Sequence, residues 1–89
     1  MINISPASKR NTPSHWVRMN GLSILFSYET AMGFSGYLDD SYVRLRRPHH
    51  ISNTTARHMS ESGVRDYPKA ETDAEFEEKL ERAVLCAIH

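Results

Sequence analysis

The chain has 89 residues, and its 11 basic and 11 acidic side chains give a formal net charge of zero. A chain of this length forms at most one domain with a small core. No apolar stretch is long enough to span a membrane, and the N-terminus lacks the hydrophobic block of a secretory signal, so we expect a cytoplasmic protein without membrane contact. The single cysteine excludes an internal disulfide.

The first fifteen residues differ in composition from the rest of the chain. Residues 1–15 are rich in Ser, Pro, Asn and basic side chains and show no apolar period. Such a segment buries too little apolar surface to offset the entropy of ordering it. We therefore predict a flexible N-terminal arm over 1–15 and a single α+β domain over 16–89.

The predicted sheet starts with a hairpin. Trp16 to Met19 forms a short candidate strand, followed by Asn20-Gly21. Both central residues of a type I′ turn need positive φ, which Asn and Gly tolerate best. Over residues 22–28, large apolar side chains then alternate with Ser and Leu, and this period of two is typical of a half-buried strand.

A shorter third strand is predicted around Met32. Gly33 within it indicates a bulge or a close backbone approach. Gly36 and the acidic pair at 39–40 are predicted to be turn residues.

The fourth predicted strand covers residues 41–47 and ends before Pro48, which lacks the N–H needed to continue the ladder. Val43 and Leu45 fall on one face. The opposite face carries Tyr42, Arg44 and Arg46. Arginines at every second position place several cations on one sheet face.

Two helices are predicted after the sheet. Ser52 is a suitable N-cap for the first, and Gly63 stands where a helix-ending glycine belongs. Thr72 and Glu75 form a capping box at the start of the second. The apolar stripe of the second helix consists of Phe76, Leu80, Ala83, Val84 and Ala87. Strands followed by helices predict an α+β fold, an antiparallel three- to four-stranded meander followed by two helices packed on the sheet.

Opposite charges are separated along the chain although they cancel in sum. The basic face is predicted to contain Tyr42, Arg44, Arg46, Arg47 and Arg57. The acidic C-terminal helix contains Glu71, Asp73, Glu75, Glu77, Glu78 and Glu81. Each group is a candidate partner-binding surface, because local fields steer charged partners. In the alternative interpretation, the arginines pair with the protein's own acidic helix or stay solvated.

Two short blocks resemble a known kind of protein. Leu25-Phe26-Ser27-Tyr28-Glu29-Thr30 and the later run from Ser52 to Met59 resemble an F/Y-S-Y-x-T strand and an S-x-T-T-x-x-H helix start. These motifs belong to a family of small uncharacterised domains of phages, archaeal viruses and plasmids. The resemblance implies a mobile genetic element, a sheet followed by a helix, and action inside a host cell.

Candidate chemistry is weak in this sequence. His49, His50, His58, Cys86 and His89 are the candidate metal ligands. Their spacing fits no zinc motif, so we predict neither a metal nor a cofactor. Thr55 and His58 would share a helix face as a nucleophile and base, but no third orienting group or oxyanion hole is recognisable, so we predict no enzyme. Cys86 is predicted to be buried.

Two functions follow from these observations. By analogy with other small phage proteins, the first is a non-enzymatic, anti-CRISPR-like interaction protein that binds and inhibits a host nucleic-acid-handling defence complex, a protein or ribonucleoprotein. The alternative is a small nucleic-acid-binding regulator that uses the arginine strand. A homodimer through the strand of Tyr42 is a further possibility, because an edge strand carries unpaired backbone groups.

Overall fold

The computed structural model describes residues 2–6, 14–27, 30–48, 59–60 and 62–88, with the backbone alone for 2–6. Five antiparallel strands form one sheet in the order of the chain. They are β1 (Ile2–Pro6), β2 (Ser14–Met19), β3 (Leu22–Ser27), β4 (Thr30–Leu38) and β5 (Ser41–Arg46). A 3-10 turn (Val64–Asp66) and helix α1 (Asp73–Ile88) follow. The α+β class and the antiparallel meander are therefore confirmed.

Three features of the predicted architecture need correction. The sheet has five strands instead of three or four. Within the described ranges, one complete α-helix follows the sheet and only Met59, Ser60 and Ser62 are helical besides it, so the claim of two helices is not supported. The first predicted helix falls mostly on residues 51–58 and 61, outside those ranges, although Gly63 has the predicted left-handed backbone with φ of 86°.

The third correction concerns the predicted arm over 1–15. Ile2–Pro6 pairs with β2 as an edge strand, and β2 itself begins at Ser14. The polar composition misled the prediction because strand pairing uses backbone groups, which every residue except proline supplies in full.

The β2–β3 hairpin confirms the predicted turn. Asn20 and Gly21 have φ of 45° and 84°, as a type I′ turn requires. Asn20 also holds the end of the helix, because its side-chain amide donates to the carbonyl oxygen of Ala87 at 2.6 Å. In the β4–β5 turn, Asp39 accepts a hydrogen bond from Arg82 at 3.3 Å. Both hairpin turns thus contact the C-terminal half of α1.

Helix α1 covers one face of the sheet with its predicted apolar stripe. Phe76 and Ala83 are buried against Leu22, Ile24, Phe34 and Leu45, with Leu80, Val84 and Ala87 at the margin. The rings of Phe34 and Phe76 meet at 5.7 Å between centroids and an angle of 59°. At the start of the helix, the Thr72 hydroxyl accepts from the Glu75 amide at 3.0 Å, so the predicted N-cap is confirmed.

Arg47, just after β5, connects the sheet to the first turns of α1. Its guanidinium contacts Asp73 at 3.0 Å and Glu77 at 3.3 Å and donates through Nε to the carbonyl oxygen of Ala31. It also lies over the Phe76 ring at 4.7 Å. The Arg47 side chain is only 13% exposed. These contacts make Arg47 an internal clamp between β4, β5 and α1.

A second, smaller core lies on the other face of the sheet. Leu25 and Met32 pack there against Met59 and Val64, and Trp16 and Tyr67 border the cluster. The β3–β4 register shifts between Leu25 and Phe26. A Cβ added at Gly33 would overlap a Val64 methyl carbon. Gly33 thus lies beside a bulge, as predicted, and the close neighbour at this position is the Val64 side chain.

Gly36 is not a turn residue, contrary to the prediction. It lies inside β4, which is nine residues long, and pairs with Val43. A Cβ at this position would meet a Leu22 methyl carbon at 2.7 Å. Glycine is required at this position because the Leu22 side chain of the neighbouring strand β3 occupies the space, not because of the backbone conformation.

Gly33→Ala tests the packing of the second core. We expect a loss of about 1–3 kcal/mol in the free energy of unfolding, because the new methyl group overlaps the fully buried Val64. Urea denaturation measures the change. In a Val64→Ala background the penalty for Gly33→Ala should largely vanish; an equal penalty in both backgrounds would contradict the steric explanation.

Arg47→Met tests the clamp. We expect it to reduce the free energy of unfolding by about 1–3 kcal/mol, because two carboxylates and a backbone carbonyl lose their donor. Thermal and urea denaturation measure the effect. Arg44→Met is the matched control on the neighbouring strand and should change stability by about 0.5 kcal/mol or less. Equal effects of the two substitutions would show that Arg47 is not a clamp.

Candidate functional site

The second face of the sheet carries arginine and aromatic side chains beyond the small core. Strand alternation places these residues opposite α1, and Tyr67 joins them from the segment after the 3-10 turn. We name this surface the arginine–aromatic face. It consists of Trp16, Arg18, Tyr37, Tyr42, Arg44 and Tyr67.

One row of residues crosses four strands on this face. Arg18 pairs with Ser23, Ser23 with Ser35, and Ser35 with Arg44. Because neighbouring strands are about 4.8 Å apart, the two arginine positions are separated by about 14 Å. The two central residues are serines with short side chains, so the surface is lower in the middle of the row than at its two ends, each of which carries an arginine.

Each of these arginines lies over an aromatic ring. The Arg18 guanidinium carbon is 5.2 Å from the centroid of Trp16, two residues earlier on the same strand face. The Arg44 guanidinium carbon is 5.8 Å from the centroid of Tyr67. Both distances are within the range of a cation–π contact, which restrains the long arginine side chain.

A pair of tyrosines flanks the row near the β4–β5 turn. Tyr37 and Tyr42 are cross-strand partners, and their rings meet edge to face at 5.2 Å. Tyr37 is 52% exposed and Tyr42 is 54% exposed. Two large rings are therefore presented to solvent next to Arg44.

The predicted basic residues have different environments. Arg44 is exposed and forms no salt bridge with any other described residue. Arg46 is half-buried, and one of its terminal nitrogens donates to the Arg47 carbonyl oxygen at 3.0 Å. Its Nε is buried and has no hydrogen-bond partner among the described residues. Arg47 is the internal clamp, and Arg57 lies outside the described residues.

The acidic helix is also divided. Asp73 and Glu77 contact the Arg47 clamp, so part of the predicted acidic surface is neutralised internally. Glu75 accepts a hydrogen bond from the Glu71 amide at 3.2 Å and serves the helix start. Glu78 and Glu81 are exposed and form no ion pair within the described part of the chain.

The weaker candidates for chemistry have these positions. Cys86 is exposed, contrary to the prediction, because it falls outside the apolar stripe of α1. It lines a pocket of about 150 Å³ beside Asn20, Tyr37 and Asp39. The predicted ligands and catalytic candidates His49, His50, Thr55, His58 and His89 lie outside the described residues. No group of three potential metal-ligating side chains occurs within the described ranges.

Four members of the arginine–aromatic face were missed as site residues in the sequence. They are Trp16, Arg18, Tyr37 and Tyr67. Trp16 and Arg18 stand two residues apart in a predicted strand, so strand periodicity could have placed them together. Tyr67 lies in a loop, and only the tertiary structure brings its ring to Arg44.

The described chain contains no helix that is both long enough and apolar enough to cross a membrane. No curated protein and no solved structure matches the sequence. One family model does match, and it covers residues 3–78, which include the five strands, except for Ile2, and the beginning of α1. The chain therefore belongs to the family of unknown function DUF8033.

Proposed function

We propose that this protein is a non-enzymatic nucleic-acid-binding protein and that its ligand is a single strand that lies on the arginine–aromatic face. The observation that carries the proposal is the pair of guanidinium–ring contacts, Arg18 on Trp16 and Arg44 on Tyr67, at the two ends of one row across the sheet. Guanidinium groups bind phosphates, and aromatic rings stack on bases.

A single strand fits this surface better than a duplex for a geometric reason. The rings of Tyr37 and Tyr42 are half exposed on a sheet face, where an unpaired base can reach them. In a duplex the bases are stacked on each other and their flat faces are not accessible. Proteins that bind single strands without sequence preference combine a basic track with such stacking rings.

Arg18→Gln and Arg44→Gln test the proposal. Each substitution should weaken binding of a labelled oligonucleotide and lower the slope of log affinity against log salt concentration by about 0.7, the contribution of one phosphate contact on a single strand. Fluorescence anisotropy over a salt series measures both quantities. Arg82→Gln, on the helix side of the protein, is the control and should change neither. Unchanged affinity and slope in both test variants would refute the proposed function.

A second candidate function is an inhibitor carried by a phage or related mobile element, acting in the host cytoplasm. It would bind a nucleic-acid-handling defence complex through the outer side of α1. The observation that favours it is the exposure of Glu78 and Glu81, which α1 holds on the side of the protein away from the arginine–aromatic face. Carboxylates in such a position can occupy an arginine-rich groove in place of phosphates.

The double variant Glu78→Lys, Glu81→Lys separates the two functions. If α1 is the contact surface, the variant should lose both co-purification with the defence complex and inhibition in an interference assay, because the charge that imitates phosphate is reversed. Its oligonucleotide affinity should not fall. The Arg44→Gln protein is the matched control on the opposite face and should still inhibit. Full inhibition by the double variant would exclude the helix surface.

A further inference from the structure

The outer edge of β5 carries backbone groups without partners. β5 is the last strand in the sheet order. The Arg46 amide donates to the Pro68 carbonyl at 2.9 Å, and the Arg46 carbonyl accepts from the Ala70 amide at 2.9 Å, so the backbone groups of Arg46 point away from β4. The side to which the backbone N–H and C=O groups point alternates from residue to residue along a strand. In agreement with this, the amide of the next residue, Arg47, donates back to Met32 on β4.

Tyr42 and Arg44 therefore also direct their N–H and C=O groups away from β4. Within the described ranges these groups have no backbone partner, because the covering segment at 68–70 reaches only Arg46. The open part of the edge is bounded by this segment at one end and by the turn at 39–40 at the other. An unprotected edge of this kind is a template for another strand.

We propose that a second copy of this chain occupies the edge, with the two β5 strands antiparallel and the two sheets joined into one. A two-fold axis through Tyr42 places Arg44 opposite Asp40 of the other copy. A two-fold axis through Val43 places Arg44 opposite Tyr42 of the other copy. In this register the pairing ends at Ser41, because the turn residue Asp40 would face Arg46, whose outward backbone groups are already bonded. The cation therefore faces a carboxylate or an aromatic ring, and either contact is attractive.

The register that would place Arg44 directly opposite Arg44 of the other copy is blocked. An axis through Arg44 would pair Tyr42 with Arg46 of the other copy, but the backbone of Arg46 is already bonded to Pro68 and Ala70. The same strand thus complements itself in both accessible registers, which is the requirement for a symmetric dimer. The joined sheet would keep the two arginine–aromatic faces on the same side, and the pairing itself does not depend on nucleic-acid binding.

The test measures the mass of the full-length protein over a range of concentrations by light scattering and sedimentation. The expected result is a change from one chain to two as the concentration rises. Tyr42→Pro removes an outward N–H in each copy while leaving the bonds to β4, and it should raise the dissociation constant about tenfold or more. Arg44→Glu should also weaken the dimer, because it places an anion opposite Asp40 or against the Tyr42 ring.

Arg18→Glu is the control, since it makes the same charge change on the same sheet face but three strands from this edge. It should leave the dimer intact. Circular dichroism verifies that each variant is folded. If Tyr42→Pro does not fold, the dissociation constant of Arg44→Glu alone tests the proposal. A protein that stays monomeric at every concentration would overturn the proposal. So would a dimer as strong in Arg44→Glu as in the unmodified chain.

Discussion

The docking of α1 on the sheet through Phe76 is the interaction on which the rest of the structure depends. Phe76 is fully buried against Phe34, and Arg47 lies over its ring while contacting Asp73 and Glu77. Burying a side chain of this size is worth about 1.5–3 kcal/mol, a large share of the stability of so short a chain. The clamp also uses acidic groups in the first turns of the helix, where the helix dipole favours them.

This arrangement determines which face of the sheet is available for binding. Because α1 packs on one face of the sheet, mainly over β3 and β4, the sheet presents its exposed functional side chains on the other face, and the small core around Val64 covers part of that face. Arg18 and Arg44 lie on the remaining area with their rings, whereas Arg47 is withdrawn into the clamp. The separation of charge along the sequence thus becomes a partial separation of charge between two sides of the sheet, with some of it neutralised inside.

Strand periodicity correctly predicted which face of the sheet three residues of β5 occupy. Alternation placed Tyr42, Arg44 and Arg46 on the face opposite Val43 and Leu45, and the structure has them there. The same rule could not tell that Arg46 is half-buried and Arg44 exposed, because the difference comes from a distant segment, 68–70, that pairs with Arg46. Nor could it bring Tyr67 to Arg44, since loop residues follow no period.

Four local features could be predicted from neighbouring residues alone: the Asn20-Gly21 turn, the alternation of β3 and β5, the N-cap at Thr72 and the apolar stripe of α1. Each of these follows from interactions between residues near one another in the chain. Three other features could not be predicted in this way: the strand at Ile2–Pro6, the position of Gly36 inside β4, and the role of Arg47 as a clamp. Those outcomes depend on partners distant in sequence, and local propensity contains no information about which partner will be present.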